Sequence, residues 1–244
     1  MSTVKPYQDQ DSSKRTQVES MFDSIAFKYD FLNTLLSGGI DNYWRKKAIE
    51  QLSHLEDNSK VLDVATGTGV LSIKAAKRFF KLNFIGVDIS QKMLDFAANR
   101  IQKLQLEKQI SLKNMDSCKL EFPENSLDCV MVAFGVRNFE NLDQGLKEMH
   151  RVLKKGEKII ILEFTMPRKS PIKQIYHFYF KNILPVIGKL YSKDPRAYQY
   201  LFESVQQFPD YERFTQVLQK NGFANCSFES LSFGVCCLYI GYKS

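Results

Sequence analysis

Histidine is scarce in this chain of 244 residues. His54, His150 and His177 stand far apart, without carboxylates at metal-ligand spacing, so no metal is expected. The five cysteines (Cys118, Cys129, Cys226, Cys236, Cys237) are odd in number, contain no C-x-x-C and lie mostly in apolar surroundings. That pattern argues against a disulfide framework and predicts reduced thiols. No apolar run approaches the roughly 18 residues that cross a bilayer, and the first 20 residues hold no apolar signal core. The expectation is a cytoplasmic protein with residues 1–20 as a flexible leader and 21–244 as a single domain, a length that one α/β core commonly reaches.

Glycine is also sparse, with twelve in all, and two of them sit where they matter most. Val61-Leu-Asp-Val-Ala-Thr-Gly-Thr-Gly69 reads as a buried parallel strand that ends in a glycine turn. A helix follows, and then a second apolar run, Asn83-Phe-Ile-Gly-Val-Asp88, which ends in a carboxylate. Gly67 and Gly69 permit positive φ and close backbone approach to a ligand, while Asp88 can accept both hydroxyls of a ribose. A dinucleotide fingerprint needs a third glycine, but Ser72 stands there. Asp63, four residues before Gly67, completes a D-x-x-x-G-x-G pattern better suited to a ligand that carries positive charge. S-adenosylmethionine, with its sulfonium and ammonium, is such a ligand.

Strand and helix alternate five times through Phe164, which predicts a doubly wound, mostly parallel sheet with its site at the C-terminal strand ends. Ser90 is placed to cap the helix through Leu104, and Lys154-Lys155-Gly156 to end the helix that starts near Leu142. Asp210–Asn221 reads as a helix closed by Gly222, and 225–230 with 234–242 as two further strands, an antiparallel pair at the sheet edge. The total is a seven-stranded α/β sheet with a helical arm over 21–55 and a helical insertion over 168–205.

Charge is unevenly spread. Arg168–Arg196 carries seven basic residues against one acid, in a chain whose net charge is +7. The same stretch holds Tyr176, Phe178, Tyr179, Phe180 and Tyr191 among aliphatic residues. Two readings stand: a helical segment at an anionic membrane interface or lining the entry for a lipophilic substrate, and a core helix whose lysines snorkel to water. Its apolar density argues against nucleic acid as a partner.

At the end of the fourth strand, Phe134-Gly-Val-Arg-Asn138 brings a guanidinium and an amide to the mouth of the expected site, and oxygen anions are their natural partners. Proline is missing between Pro123 and Pro167, so the Pro-Pro dipeptide common in methylation of nucleobase amines is not here. Phe134–Asn138, together with Met21-Phe-Asp-Ser-Ile-Ala, Tyr29-Asp30, Leu32-Asn33, Trp44-Arg45, Glu163-Phe164, Tyr200-Leu201, Phe208-Pro209 and Ile240-Gly-Tyr-Lys243, closely resembles the C-methyltransferases of ubiquinone and menaquinone biosynthesis. The resemblance runs from Met21 to Lys243. It implies the class I S-adenosylmethionine-dependent methyltransferase fold. It also implies cofactor contacts from Thr68, Asp88, Asp116 and Ser117, and a prenylated quinol as substrate, demethylmenaquinol ahead of the benzoquinol of ubiquinone synthesis or a soluble aromatic acceptor. Peripheral contact with the inner face of the cell membrane follows as an expectation, and self-association into a homo-oligomer is left open. Two departures stand out: Ala133 replaces a serine frequent in the family, and Cys236-Cys237 occupy a stretch where relatives tend to place a histidine.

With Asp63, Gly67 and Gly69, these residues make up the expected cofactor site. For catalysis, Arg137 and Asn138 are candidates to stabilise a phenolate, with Arg137 competing for a structural salt bridge. Tyr29 contacts substrate or merely anchors the arm, since Phe22, Ile25, Ala26 and Tyr29 share one helical face. Asp30 is a candidate base.

Overall fold

The computed structural model describes residues 4–7, 11–26, 37–183 and 196–244, apart from the side chain of Tyr198. Seven strands form one sheet: β1 (Lys60–Val64), β2 (Asn83–Asp88), β3 (Ile110–Asn114), β4 (Leu127–Ala133), β5 (Leu153–Phe164), β6 (Phe223–Leu231) and β7 (Cys236–Lys243). Their order is β3-β2-β1-β4-β5-β7-β6. The first five strands pair in parallel, while β7 runs antiparallel to both β5 and β6, as the alternation and the paired tail strands predict. The chain winds outward from β1 to β3, then restarts at β4 on the other side of β1. Their neighbouring C-terminal ends form the switch point at which such sheets bind ligands.

Buried residues of β1 alternate between the two faces, with Leu62 and Val64 in one core and Val61 in the other. On the Val61 face pack α2 (Asp41–Glu50), α3 (Val70–Arg78) and α4 (Gln91–Lys103), through Trp44, Leu71 and Ala97 among others. On the opposite face pack α5 (Leu142–Val152) and α8 (Glu212–Lys220), through Leu146, Met149, Phe214 and Leu218. Removing each such side chain from water contributes about 1.5–3 kcal/mol. Ser90 caps α4 by accepting from the Met93 N–H at 3.1 Å. Gly156 does not end α5: that helix stops at Val152, and the chain passes straight into the pairing of Leu153 with Leu127, which leaves Gly156 inside an irregular stretch of β5.

A third, smaller core joins α1 (Lys14–Ile25) to the insertion helices α6 (Ile172–Phe178), continued by a π-turn to Ile183, and α7 (Arg196–Gln207). Val18 and Met21 pack there with Tyr176, Phe180 and Tyr200. The helical arm therefore begins at Lys14, inside the stretch expected to be a leader. Ser13 starts it by accepting from the Thr16 N–H at 3.2 Å. Among the described residues, no helix is long and apolar enough to cross a membrane.

Candidate active site

The turn after β1 is held from beneath. Asp63 is fully buried, and its Oδ2 accepts from the Thr66 hydroxyl at 2.7 Å and the Ser72 hydroxyl at 2.6 Å, which ties the turn to the first turn of α3. Burial pushes its carboxyl up to about 6 against the pull of those two donors. Gly67 and Gly69 adopt φ of +56° and +76°. Space is open around Gly67, so it is the left-handed backbone that requires glycine there. The Gly67 N–H donates to Asp88 Oδ2 at 2.8 Å and the Ser90 N–H to Oδ1 at 2.9 Å, fixing the carboxylate at the tip of β2. Burial raises that carboxyl also to about 6.

Gly67, Asp88, Asp116 and Ser117 line one cleft of about 710 Å³, counted with the solvent at its mouth, with Met93 and Met115 among its apolar walls. Four of the residues expected to bind the cofactor thus converge. Three do not line this cleft: Asp63 and Thr68 are buried and Gly69 begins α3, so these shape the turn from within.

A second turn meets the first at the switch point. Gly135 packs so tightly that an added Cβ would lie 2.6 Å from the Ala65 methyl. The preceding residue, Phe134, takes a left-handed φ of +60° and stacks its ring on Phe164 at 4.4 Å. A single 3-10 turn, Val136–Asn138, then places two of the four catalytic candidates, Arg137 and Asn138. Arg137 Nη1 donates to Glu163 Oε1 at 2.7 Å and to the Phe134 carbonyl at 2.5 Å. Glu163 has no exposed surface, and its burial raises its carboxyl while Arg137 pulls it back. Arg137 thus makes the structural salt bridge and also lines a larger, mostly apolar cavity of about 1,700 Å³, counted with its open mouth. Asn138 donates to the Phe134 carbonyl at 3.4 Å, and its buried Oδ1 has no hydrogen-bond partner among the described residues. It lines both the cleft and the larger cavity, as do Phe134 and Phe22.

The arm closes over both spaces. Lys14 Nζ donates to the carbonyls of Arg137 and Phe139 at 3.0 and 2.9 Å, and burial together with the Arg137 charge lowers it to about 8. Arg15 pairs with Asp116 at 3.1 Å, and Asp23 accepts from the Ser90 hydroxyl at 2.5 Å. Sequence reasoning missed these arm contacts, because they are made by the charged side chains of Lys14, Arg15 and Asp23 and the helix cap lies in polar sequence. Glu163 was legible as part of a motif but not as the partner of Arg137. Tyr29 and Asp30 lie outside the described residues.

The model of the ubiE/COQ5 methyltransferase family matches residues 10–243. The chain belongs to that family. Among its relatives, a demethylmenaquinone methyltransferase of Bacteroides fragilis is 44% identical over 98% of this chain and 97% of its own length. A ubiquinone/menaquinone biosynthesis C-methyltransferase UbiE of Geotalea uraniireducens is 41% identical over 95% of this chain and 98% of its own. In fold, the chain is similar to Haemonchus contortus phosphoethanolamine N-methyltransferase 2 solved with S-adenosyl-L-methionine, with a TM-score of 0.69 at 17% identity, covering 97% of this chain and 61% of that one. The family member described here is an S-adenosylmethionine-dependent methyltransferase.

Proposed function

We propose that the chain methylates a ring carbon of a prenylated quinol, demethylmenaquinol in particular, to give menaquinol. The observation that carries this reading is the shared wall between the polar cleft and the apolar cavity. Asn138 and Phe134 border both, so a donor in one and a lipophilic ring in the other would meet there. The menaquinone assignment draws on the name of the 44% identical relative.

The cleft suits the cofactor. A raised strand-end carboxyl at Asp88 is matched to a ribose diol, Asp116 and Ser117 to the base edge, and the left-handed turn at Gly67 to close backbone approach. Asp63 and Ser72 act one layer below by holding that turn in shape. When bound, S-adenosylmethionine supplies an electrophilic methyl group on a cationic sulfur.

The chain's own task is to make the acceptor carbon nucleophilic and to aim it. Alignment of the two reactants can lower the barrier by roughly 7–11 kcal/mol. The ring carbon bonds to the methyl as the sulfur–carbon bond breaks, and the ring regains aromaticity by releasing the proton of that same carbon. The hydroxyl beside that carbon gives up or shares its proton before the attack, so its oxygen carries the negative charge that enters the ring and that returns to it when the carbon's own proton leaves. Arg137 remains protonated and stabilises that oxygen electrostatically, with Glu163 holding the guanidinium in place. Asn138 Oδ1 accepts from the hydroxyl and orients it. Tyr29 and Asp30 remain our candidates for closing the site and for taking up the proton.

The mouth of the cavity supports delivery from a membrane. Ile40, Ile175 and Phe233 line the cavity while 46%, 60% and 82% exposed. Lys169, Lys173 and Lys181 lie exposed along the insertion beside them. An apolar rim flanked by cations fits peripheral contact with anionic lipid.

Competition between reduced naphthoquinol and benzoquinol acceptors of equal tail length tests the substrate. A higher kcat/KM for the naphthoquinol is expected, and preference for the benzoquinol would move the assignment to ubiquinone synthesis.

A further inference from the structure

Two hydroxyls in the larger cavity have no task in the chemistry above. Tyr176 and Tyr200 both line it, 6% and 2% exposed, and neither hydroxyl has a hydrogen-bond partner among the described residues. Buried phenols ordinarily find a partner, because an unpaired hydroxyl in apolar surroundings destabilises the fold. The two rings come from different helices, α6 and α7, and line the same cavity as Arg137 and Asn138. Burial raises both phenols well above their ordinary range, so they stay neutral O–H groups that can donate or accept. Aromatic rings pack beside them: the Tyr176 ring lies 4.4 Å from that of Phe180, which in turn stacks on Phe202 at 5.3 Å.

We propose that Tyr176 and Tyr200 receive the second oxygen of the quinol, the one across the ring from the oxygen held by Arg137 and Asn138, and so select 1,4-dihydroxylated head groups over monohydroxylated ones. This rests on the quinol reading above. A 1,4-quinol is an apolar disc with a hydroxyl at each end. An acceptor with a single hydroxyl fills the same volume but leaves the tyrosine hydroxyls desolvated and unpaired, and sites of that kind reject analogues strongly. The tail then leaves on the side of Ile40, Ile175 and Phe233, where the cavity opens.

The test compares wild type with Tyr176→Phe, Tyr200→Phe and the double variant. Each is assayed for kcat/KM on the prenylated quinol and for the inhibition constant of the same ring with its distal hydroxyl replaced by hydrogen. Each phenylalanine should lower kcat/KM for the quinol by roughly tenfold, about the range one hydrogen bond supplies. It should leave the analogue's inhibition constant unchanged or tighter and cofactor affinity within twofold. Apo melting temperatures should hold or rise, since an unpaired hydroxyl has been removed from an apolar setting, whereas a merely structural role would lower them. Undiminished quinol turnover, or equal weakening for quinol and analogue, overturns the inference while leaving the quinol reading intact. A wild-type protein that methylates no quinol overturns both.

Discussion

Asp88 is held by two backbone N–H donors at the tip of β2, and its carboxyl is nevertheless raised to about 6 by its surroundings. Ribose hydroxyls donate to the carboxylate and not to the acid. Cofactor affinity measured by calorimetry should therefore fall as pH drops through about 6, approaching tenfold per pH unit below it. Asp88→Asn should weaken binding by roughly 10- to 100-fold at neutral pH and abolish that dependence, given the strength of hydrogen bonds to charged groups. Arg137 makes a different prediction, because its partner Glu163 is wholly buried. Arg137→Ala leaves a buried carboxylate unpaired and should cost about 3–5 kcal/mol of stability. Combining Arg137→Met with Glu163→Gln removes both charges and should restore the melting temperature, while turnover stays at least roughly 100-fold down, a loss of the size seen for removed electrostatic donors. Cofactor affinity should change little. Collapsed cofactor binding with normal turnover at saturation would refute the role given to Arg137.

At the level of elements, the glycine turn depends on what lies beneath it. Ser72→Ala removes one of the two hydroxyls on Asp63 and should cost about 1–3 kcal/mol, seen as a melting shift of about 2–4 °C per kcal/mol for a chain of this size. It should also weaken cofactor binding, because the Gly67 N–H is positioned by that turn. Phe80→Ser, at a ring 76% exposed, serves as the neutral control. The sheet was legible because β1, β2 and β4 are short apolar runs and β5 ends in one, and the strand tips carry polar residues that nothing in a core would need. The surroundings of Asp63 were not legible for a physical reason: its spacing from Gly67 is visible in sequence, but that its carboxylate takes the hydroxyls of Thr66 and Ser72 depends on tertiary packing. The arm was harder still, since α1 is mostly polar and its buried Lys14 bonds residues more than a hundred positions away. Tyr176 and Tyr200 read as aromatics in an insertion, and only the fold puts their hydroxyls in one cavity.

On the scale of the whole molecule, two features point to the same face. The turn between β6 and β7 holds Ser232 and Phe233 in left-handed conformations, at φ of +46° and +58°, with the Phe233 ring 82% exposed. Such conformations cost on the order of 1–3 kcal/mol each and persist where surroundings enforce them, here through the Trp44 indole N–H donating to the Ser232 hydroxyl at 2.8 Å. Ile175 and Phe178 project from α6, each 60% exposed. Cosedimentation with anionic vesicles should exceed that with neutral ones and decline as salt rises. The pair Ile175→Ser with Phe233→Ser should weaken it several-fold without changing cofactor affinity. Binding that ignores both lipid charge and these side chains would remove the membrane from the account.

The meeting of polar cleft and apolar cavity at Asn138 is most directly tested by following the methyl group itself. The protein is incubated with S-adenosylmethionine labelled in its methyl carbon and with reduced demethylmenaquinone, and the organic extract is then examined by NMR. The account predicts label in the extract, bonded to the ring carbon. Label on a quinol oxygen, or none in the organic phase while the cofactor binds normally, would contradict it.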